Sequence, residues 1–181
     1  MSARSWSLDS SCGELRVLTG VAGPAARMGH RLTISMRSWR ASVRWRGKAP
    51  AEAELDVEVD SLTVVTGEGG VTPLSPPERA LARSNALKSL DAKKFPRIRF
   101  AADDISTIAQ GYRLVGMLEI HGTTRPQNVD LRIEDLGDRW AMTARVSVLQ
   151  SNFGVKPYSL MMGALKVADA VAVDFSATHP S

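Results

Sequence analysis

Three histidines (His30, His121, His179), one cysteine (Cys12) and two adjacent acidic pairs (Asp103-Asp104, Glu134-Asp135) are the side chains here best suited to acid–base, nucleophilic or metal chemistry. Their spacing argues against all three. Zinc and haem sites draw ligands from short, recurrent spacings, whereas these histidines are far apart from one another and from Cys12. Each acidic pair is expected at a strand end, where neighbouring side chains point to opposite faces and form no dyad. There is no G-x-S-x-G elbow, P-loop or dinucleotide fingerprint, and Gly67-Glu68-Gly69-Gly70 lacks the spacing that cradles phosphate. His30, at a glycine-flanked strand entry, reads as structural. His121 is expected exposed in a hairpin turn, His179 in a frayed tail over 176–181, and Cys12 half-buried near a strand start. The expectation is a protein that binds rather than reacts, with no catalytic residue, metal or cofactor. An enzyme built on His30 and a nearby Ser or Asp is one alternative.

The elements that position these residues form one domain. A length of 181 residues, with 44% hydrophobic and 23% charged side chains, suits a single globular unit over 1–181, its core at about 6–175. One cysteine makes no internal disulfide. The opening MSARSWSLDSSCGELRVL lacks the apolar run of a signal peptide, and no window approaches a membrane span, so a cytoplasmic location is expected.

Charge is segregated beneath a net +4. Bases dominate up to Lys48, acids alone occupy 49–78 (Glu52, Glu54, Asp56, Glu58, Asp60, Glu68, Glu78), and bases return at Arg79, Arg83, Lys88, Lys93, Lys94, Arg97 and Arg99. Strands of opposite charge pairing across a sheet explain this pattern. Nucleic acid is not expected as a partner, because no aromatics interleave with the bases. The basic 79–99 segment could instead contact a membrane surface or an acidic partner.

Period-two alternation dominates the rest. Leu32, Ile34 and Met36 share one face, and Trp39, Ala41, Val43 and Trp45 share the next after a slip at Arg37-Ser38. A second slip follows Val59, at Asp60-Ser61; slips of this kind mark bulges. Further runs are centred on Phe100, Leu118, Leu131, Met142 and Val173, a pattern of short strands that suits an antiparallel barrel or sandwich. The exception lies near 77–93. Pro76-Pro77-Glu78 opens a segment without β-branched residues, with Leu81, Ser84, Leu87 and Leu90 at helical spacing, and Phe95-Pro96 returns the chain to a strand.

In this order the landmarks resemble the YceI-like family of lipocalin-like lipid-binding proteins. Trp6-Ser7-Leu8-Asp9 resembles its opening W-x-x-D, and Leu87-Lys88-Ser89 through Phe95-Pro96-Arg97-Ile98-Arg99-Phe100 resembles its L-x-S…F-P-x-I-x-F signature. Val115 to Pro126 is similar to its G-x-L-T-I-x-G-x-T-K/R-P strand and turn, and Phe153-Gly154 to its F-G step. Leu90-Asp91 replaces the usual aromatic pair, and Gln150 or Ser151 the usual arginine, marking a divergent branch.

The resemblance implies an all-β, extended antiparallel barrel of about eight strands, with one helical crossover near 77–93 lying across one end. It also implies a polyisoprenoid or other long-chain amphiphile as partner, a homodimer, and links to stress responses. Candidate wall residues are Leu55, Val57, Val59, Ile98, Phe100, Leu118, Ile120, Val129, Leu131, Met142 and Val146. The loop SNFGVKPYSLMMGALKV adds Phe153, Tyr158, Leu160, Met161 and Met162, either as a recognition loop or as a plug, with Ser151, Asn152, Lys156 and Tyr158 as donors to a polar head. Alternation looks the same whether a barrel is hollow or filled, so an interaction module with a filled barrel, acting through its surface, stays open.

Overall fold

The computed structural model describes residues 4–181; the first three positions of the expected domain lie outside the described residues. The strands are β1 (Ser5–Asp9), β2 (Gly13–Leu18), β3 (Val21–Ala22), β4 (His30–Met36), β5 (Trp39–Arg46), β6 (Ala49–Glu58) and β7 (Leu62–Gly69). After helix α1 (Pro76–Ser89) come β8 (Arg97–Ile108), β9 (Gly111–Ile120), β10 (Thr123–Asp135), β11 (Arg139–Leu149), β12 (Ser159–Leu160), β13 (Leu165–Val167) and β14 (Ala170–Pro180). Eleven strands make one antiparallel sheet in the order β1-β5-β6-β8-β9-β10-β11-β14-β2-β4-β7, and β12-β13-β3 make a small second sheet. The main sheet curls into a half-barrel whose edges are β1 and β7.

The described residues thus hold fourteen strands where about eight were expected. Part of the excess comes from the two slips read in the sequence. The ribbon of residues 30–69 breaks at Arg37-Ser38 and, opposite, at a 3-10 turn over Val59–Ser61, so each long strand becomes two. Arg37 N–H donates to Ser61 O (3.3 Å) and Glu58 N–H to Ser38 O (3.0 Å), which holds the bend. Beyond it one arm of the ribbon pairs with β1 and β8, the other with β2. The ribbon therefore joins the two ends of the sheet covalently. The short strands β3, β12 and β13 supply most of the remaining excess; they carry too few residues to show alternation.

The segregated charges lie side by side on the outer face. Arg44 pairs with Glu52 between β5 and β6, and Asp56 on β6 takes both Arg97 and Arg99 (3.0 Å for the latter) on β8. Arg83 reaches Asp60 at 3.2 Å, and Arg79 donates to Val65 O at 3.3 Å. Four of the seven bases in the 79–99 segment are therefore engaged with β6, β7 and the turn between them. Exposed pairs of this kind add little stability, but they set strand register.

Helix α1 begins where the sequence places it. Ser75 Oγ accepts from Glu78 N–H, Glu78 Oε2 accepts from Ser75 N–H at 2.6 Å, and Pro76 and Pro77 fill positions that need no donor. It ends at Ser89 rather than near residue 93, because Asp91 takes φ 47° and turns the chain. Its inward face also differs from the expected leucine stripe. Leu87 and Leu90 of that stripe pack against the core and Leu81 borders the cavity while 60% exposed, but Ser84 is exposed, and Ala82, Asn85, Ala86 and Ser89 complete the inward face.

Three further expectations are corrected. The 176–181 tail is not frayed: β14 pairs with β11 as far as Pro180↔Arg139. His121 is half-buried, packed at 4.8 Å against Phe95. Asp103-Asp104 does not end a strand but marks an irregularity inside β8, between Ala102 and Asp104. Close by, Gly116 on β9 is required because a Cβ there would collide with Ala101 O.

Candidate ligand-binding cavity

The inward faces of these strands do not meet. They surround a cavity of about 700 Å³, within the range of ligand pockets generally. Period two carries its walls. Leu55 and Val57 come from β6, Ile98 and Phe100 from β8, Leu118 and Ile120 from β9, Val129 and Leu131 from β10, and Met142 and Val146 from β11. All ten were read from the sequence as wall residues, and Phe153 and Tyr158 from the loop line the cavity too. Val59, 1% exposed, packs at the ribbon's bend and does not line it. Met161 and Met162 also stand outside, 57% and 106% exposed.

Other wall residues had the same alternating signal but were not singled out, among them Leu15, Val17, Ile34, Leu114, Val148 and Phe175. The α1 face was missed for a different reason. Alanine, asparagine and serine on a helix give no apolar stripe, yet Ala82, Asn85, Ala86 and Ser89 all line the cavity.

Polar lining residues are few beside the apolar ones. Thr19 Oγ1 accepts from Leu32 N–H at 2.9 Å, His30 Nε2 lies 2.7 Å from Thr72 O, and Gln150 Nε2 donates to Ala168 O at 3.0 Å. These groups hold the surrounding backbone. His30 is therefore structural, as expected, although it borders the cavity. Asn85, Ser89, Tyr158 and Lys166 line the cavity with side chains that have no hydrogen-bond partner among the described residues. Of the head-group donors expected in the loop, only Tyr158 is placed to serve. Ser151 is committed to Asp169, through its N–H (2.7 Å) and its hydroxyl (2.5 Å), and these bonds hold the Asp169 carboxyl below the usual range. Asn152, whose main-chain carbonyl accepts from Arg125 Nε at 3.1 Å, and Lys156 are both exposed and stand outside the lining.

Three rings pack together outside the lining. Trp6 from β1 stacks on His179 from β14 at 4.1 Å and packs on Trp45 at 5.0 Å. The cavity opens where Met28, Val71, Leu81 and Leu160 are both lining and 49–78% exposed. No grouping of His, Cys, Asp and Glu suited to a metal occurs among the described residues, and no helix there is long and apolar enough to cross a membrane.

A curled sheet around an apolar interior, with the Trp-x-x-Asp strand at its edge and the Phe-Pro step entering β8, agrees with the family likeness read in the sequence. Residues 6–179 match the YceI-like domain. The chain belongs to the YceI-like family. No curated protein matches it in sequence. Among solved structures, Burkholderia cenocepacia BcnA is similar at 17% identity, covering 95% of this chain and 99% of that one, with a TM-score of 0.72. A Campylobacter jejuni YCEI protein is similar at 11% identity, covering 82% and 84%, with a TM-score of 0.62. At such identities these two share the fold. They do not fix what this YceI-like protein binds.

Proposed function

We propose that this YceI-like protein is a non-enzymatic carrier that encloses one polyisoprenoid or other long-chain amphiphile. The observation that carries the reading is the cavity itself: about 700 Å³, walled mainly by apolar side chains and open where Met28, Val71, Leu81 and Leu160 border it. Burying each CH₂ of a tail there contributes about 0.8 kcal/mol without directional chemistry, which suits walls of Leu, Ile, Val and Met. Asn85, Ser89, Tyr158 and Lys166, close to the opening and without partners, are placed to bond a hydroxyl, carbonyl or phosphate head. The alternative reading, a surface module using the basic 79–99 segment, is weakened because Arg79, Arg83, Arg97 and Arg99 already have partners within the chain.

Native mass spectrometry of freshly purified protein, with solvent extraction of the same sample, tests the carrier reading. A stoichiometric mass increment that extracts as an isoprenoid or fatty chain supports it. Folded Leu118→Glu protein should lose that increment, since Leu118 lines the wall and is 9% exposed. Undiminished lipid in that variant would sink the placement.

A further inference from the structure

We propose that the rim of the cavity docks onto an anionic phospholipid bilayer, with the β12–β13 turn as the part that inserts. Met28 (51% exposed), Val71 (78%), Leu81 (60%) and Leu160 (49%) come from four separate segments and border the opening. Met161 (57%) and Met162 (106%) extend the same apolar surface at the tip of the β12–β13 hairpin, where Leu160 pairs with Leu165. More than half of the large apolar side chains that the described residues expose lie in this one place. Monomeric soluble proteins rarely gather them so without a binding purpose.

The turn itself points the same way. Met161 and Met162 take φ 52° and 57°, two left-handed residues in succession. Asn and Gly suit such a turn, and branched or long side chains are strained in it. Folding alone gives no reason for methionine at either position, because neither side chain packs in the core. A bilayer does give one, since flexible thioether side chains fit an irregular acyl boundary.

Charge selects the kind of bilayer. The rim segments, residues 20–31, 70–82 and 156–167, carry five bases: Arg31 pairs with Glu68 and Arg79 donates to Val65 O, whereas Arg27, Lys156 and Lys166 make no ion pair within 4 Å among the described residues, although Lys166 lies near Asp169. Their one acid is Glu78, kept ionised by the Ser75 N–H at the cap of α1, so bases outnumber it. Bases surrounding an apolar tip match the anionic surface of a phospholipid membrane, their stems lying along the headgroups. Docking rests on the rim alone; its purpose, passing a lipid between bilayer and cavity without crossing water, rests on the carrier reading.

Co-sedimentation of the full chain with phosphatidylcholine vesicles, with and without phosphatidylglycerol, tests docking. The protein should sediment with the phosphatidylglycerol vesicles. Met161→Ser/Met162→Ser should weaken that partition by at least ~10-fold while Nile red uptake into the cavity is unchanged. Val71→Ser should weaken it too, independently of the hairpin, and Arg27→Gln/Lys156→Gln should erase the preference for phosphatidylglycerol. Unaltered partition in both apolar variants overturns the proposal, as does wild-type protein that stays in solution. A dimer in light scattering that the methionine substitutions abolish, with no vesicle binding, assigns the rim to a second copy and equally overturns it. Rim-dependent vesicle binding without Nile red uptake leaves docking standing and removes the carrier reading instead.

Discussion

The imidazole of His179 lies flat on the indole of Trp6, 4.1 Å between ring centroids and 7° between planes. Trp6 is on edge strand β1, and His179 is near the end of β14, which is far from β1 in sheet order. The stack therefore joins two strands that backbone pairing does not. Trp6→Ala is expected to cost about 3–5 kcal/mol through lost packing, and His179→Ala about 0.5–1.5 kcal/mol through the lost ring pair. Urea unfolding of both single variants and the double variant should show coupling between the sites; additive losses would mean the stack contributes nothing of its own.

This same contact shows where the sequence stops being legible. Strands β4 to β11, the middle of β14 and the start of α1 could be read from alternation, turn residues and Pro76-Pro77-Glu78, because those signals are local. The two slips located the ribbon's bend for the same reason. His179 was read as frayed because its partner sits at the opposite end of the chain. Ser151 was read as a free donor because Asp169, which occupies it, is joined to it only by tertiary folding. The wall residues were legible as inward-facing, but hollowness was not. Whether Phe100 and Met142 touch one another or a void depends on barrel curvature, to which a period of two is blind.

Hollowness itself can be tested by filling. Val146 lines the cavity from β11 and is half-buried. In a packed core Val146→Trp would force strain of about 1–3 kcal/mol or more. With a cavity of about 700 Å³ in front of it, the indole has room, so stability should change by less than about 1 kcal/mol. Nile red capacity should fall in the same protein. Unfolding of the variant with unchanged probe capacity in the remainder would argue for a filled interior.

Acid should weaken the fold by identifiable routes. Arg145 bonds Asp174 between β11 and β14 and holds that carboxyl below its usual value, as the Ser151 bonds do for Asp169 and the Arg113 bonds for Asp130. A depressed native pKa gives stability that is fully present above the unfolded value, near 3.9 for Asp, and lost as pH falls through the native one. Stability should be flat through neutrality and decline below about pH 4. Asp174→Asn should shallow that decline when unfolding is followed by circular dichroism across the acid range. An equally steep loss would assign it to other carboxylates.

Helix α1 covers one side of the opening, so its stability should control passage. Its first turn depends on the reciprocal Ser75–Glu78 cap, and the residues just beyond, Leu81, Ala82 and Asn85, border the cavity. Ser75→Ala removes one side of the cap and should destabilise that turn by about 1 kcal/mol. Most of the cavity wall lies in the sheet, and the loss is confined to the first turn of α1, so probe affinity should change little. The rate is where the loss should appear: Nile red release in stopped flow should speed up by roughly fivefold, the kinetic equivalent of about 1 kcal/mol in opening the turn. Glu78→Gln keeps an acceptor for the Ser75 N–H while removing the charge, so release from it should fall between wild type and Ser75→Ala. If all three proteins released the probe at one rate, ligands would be leaving past the β12–β13 side, and α1 would be a fixed wall rather than a cover.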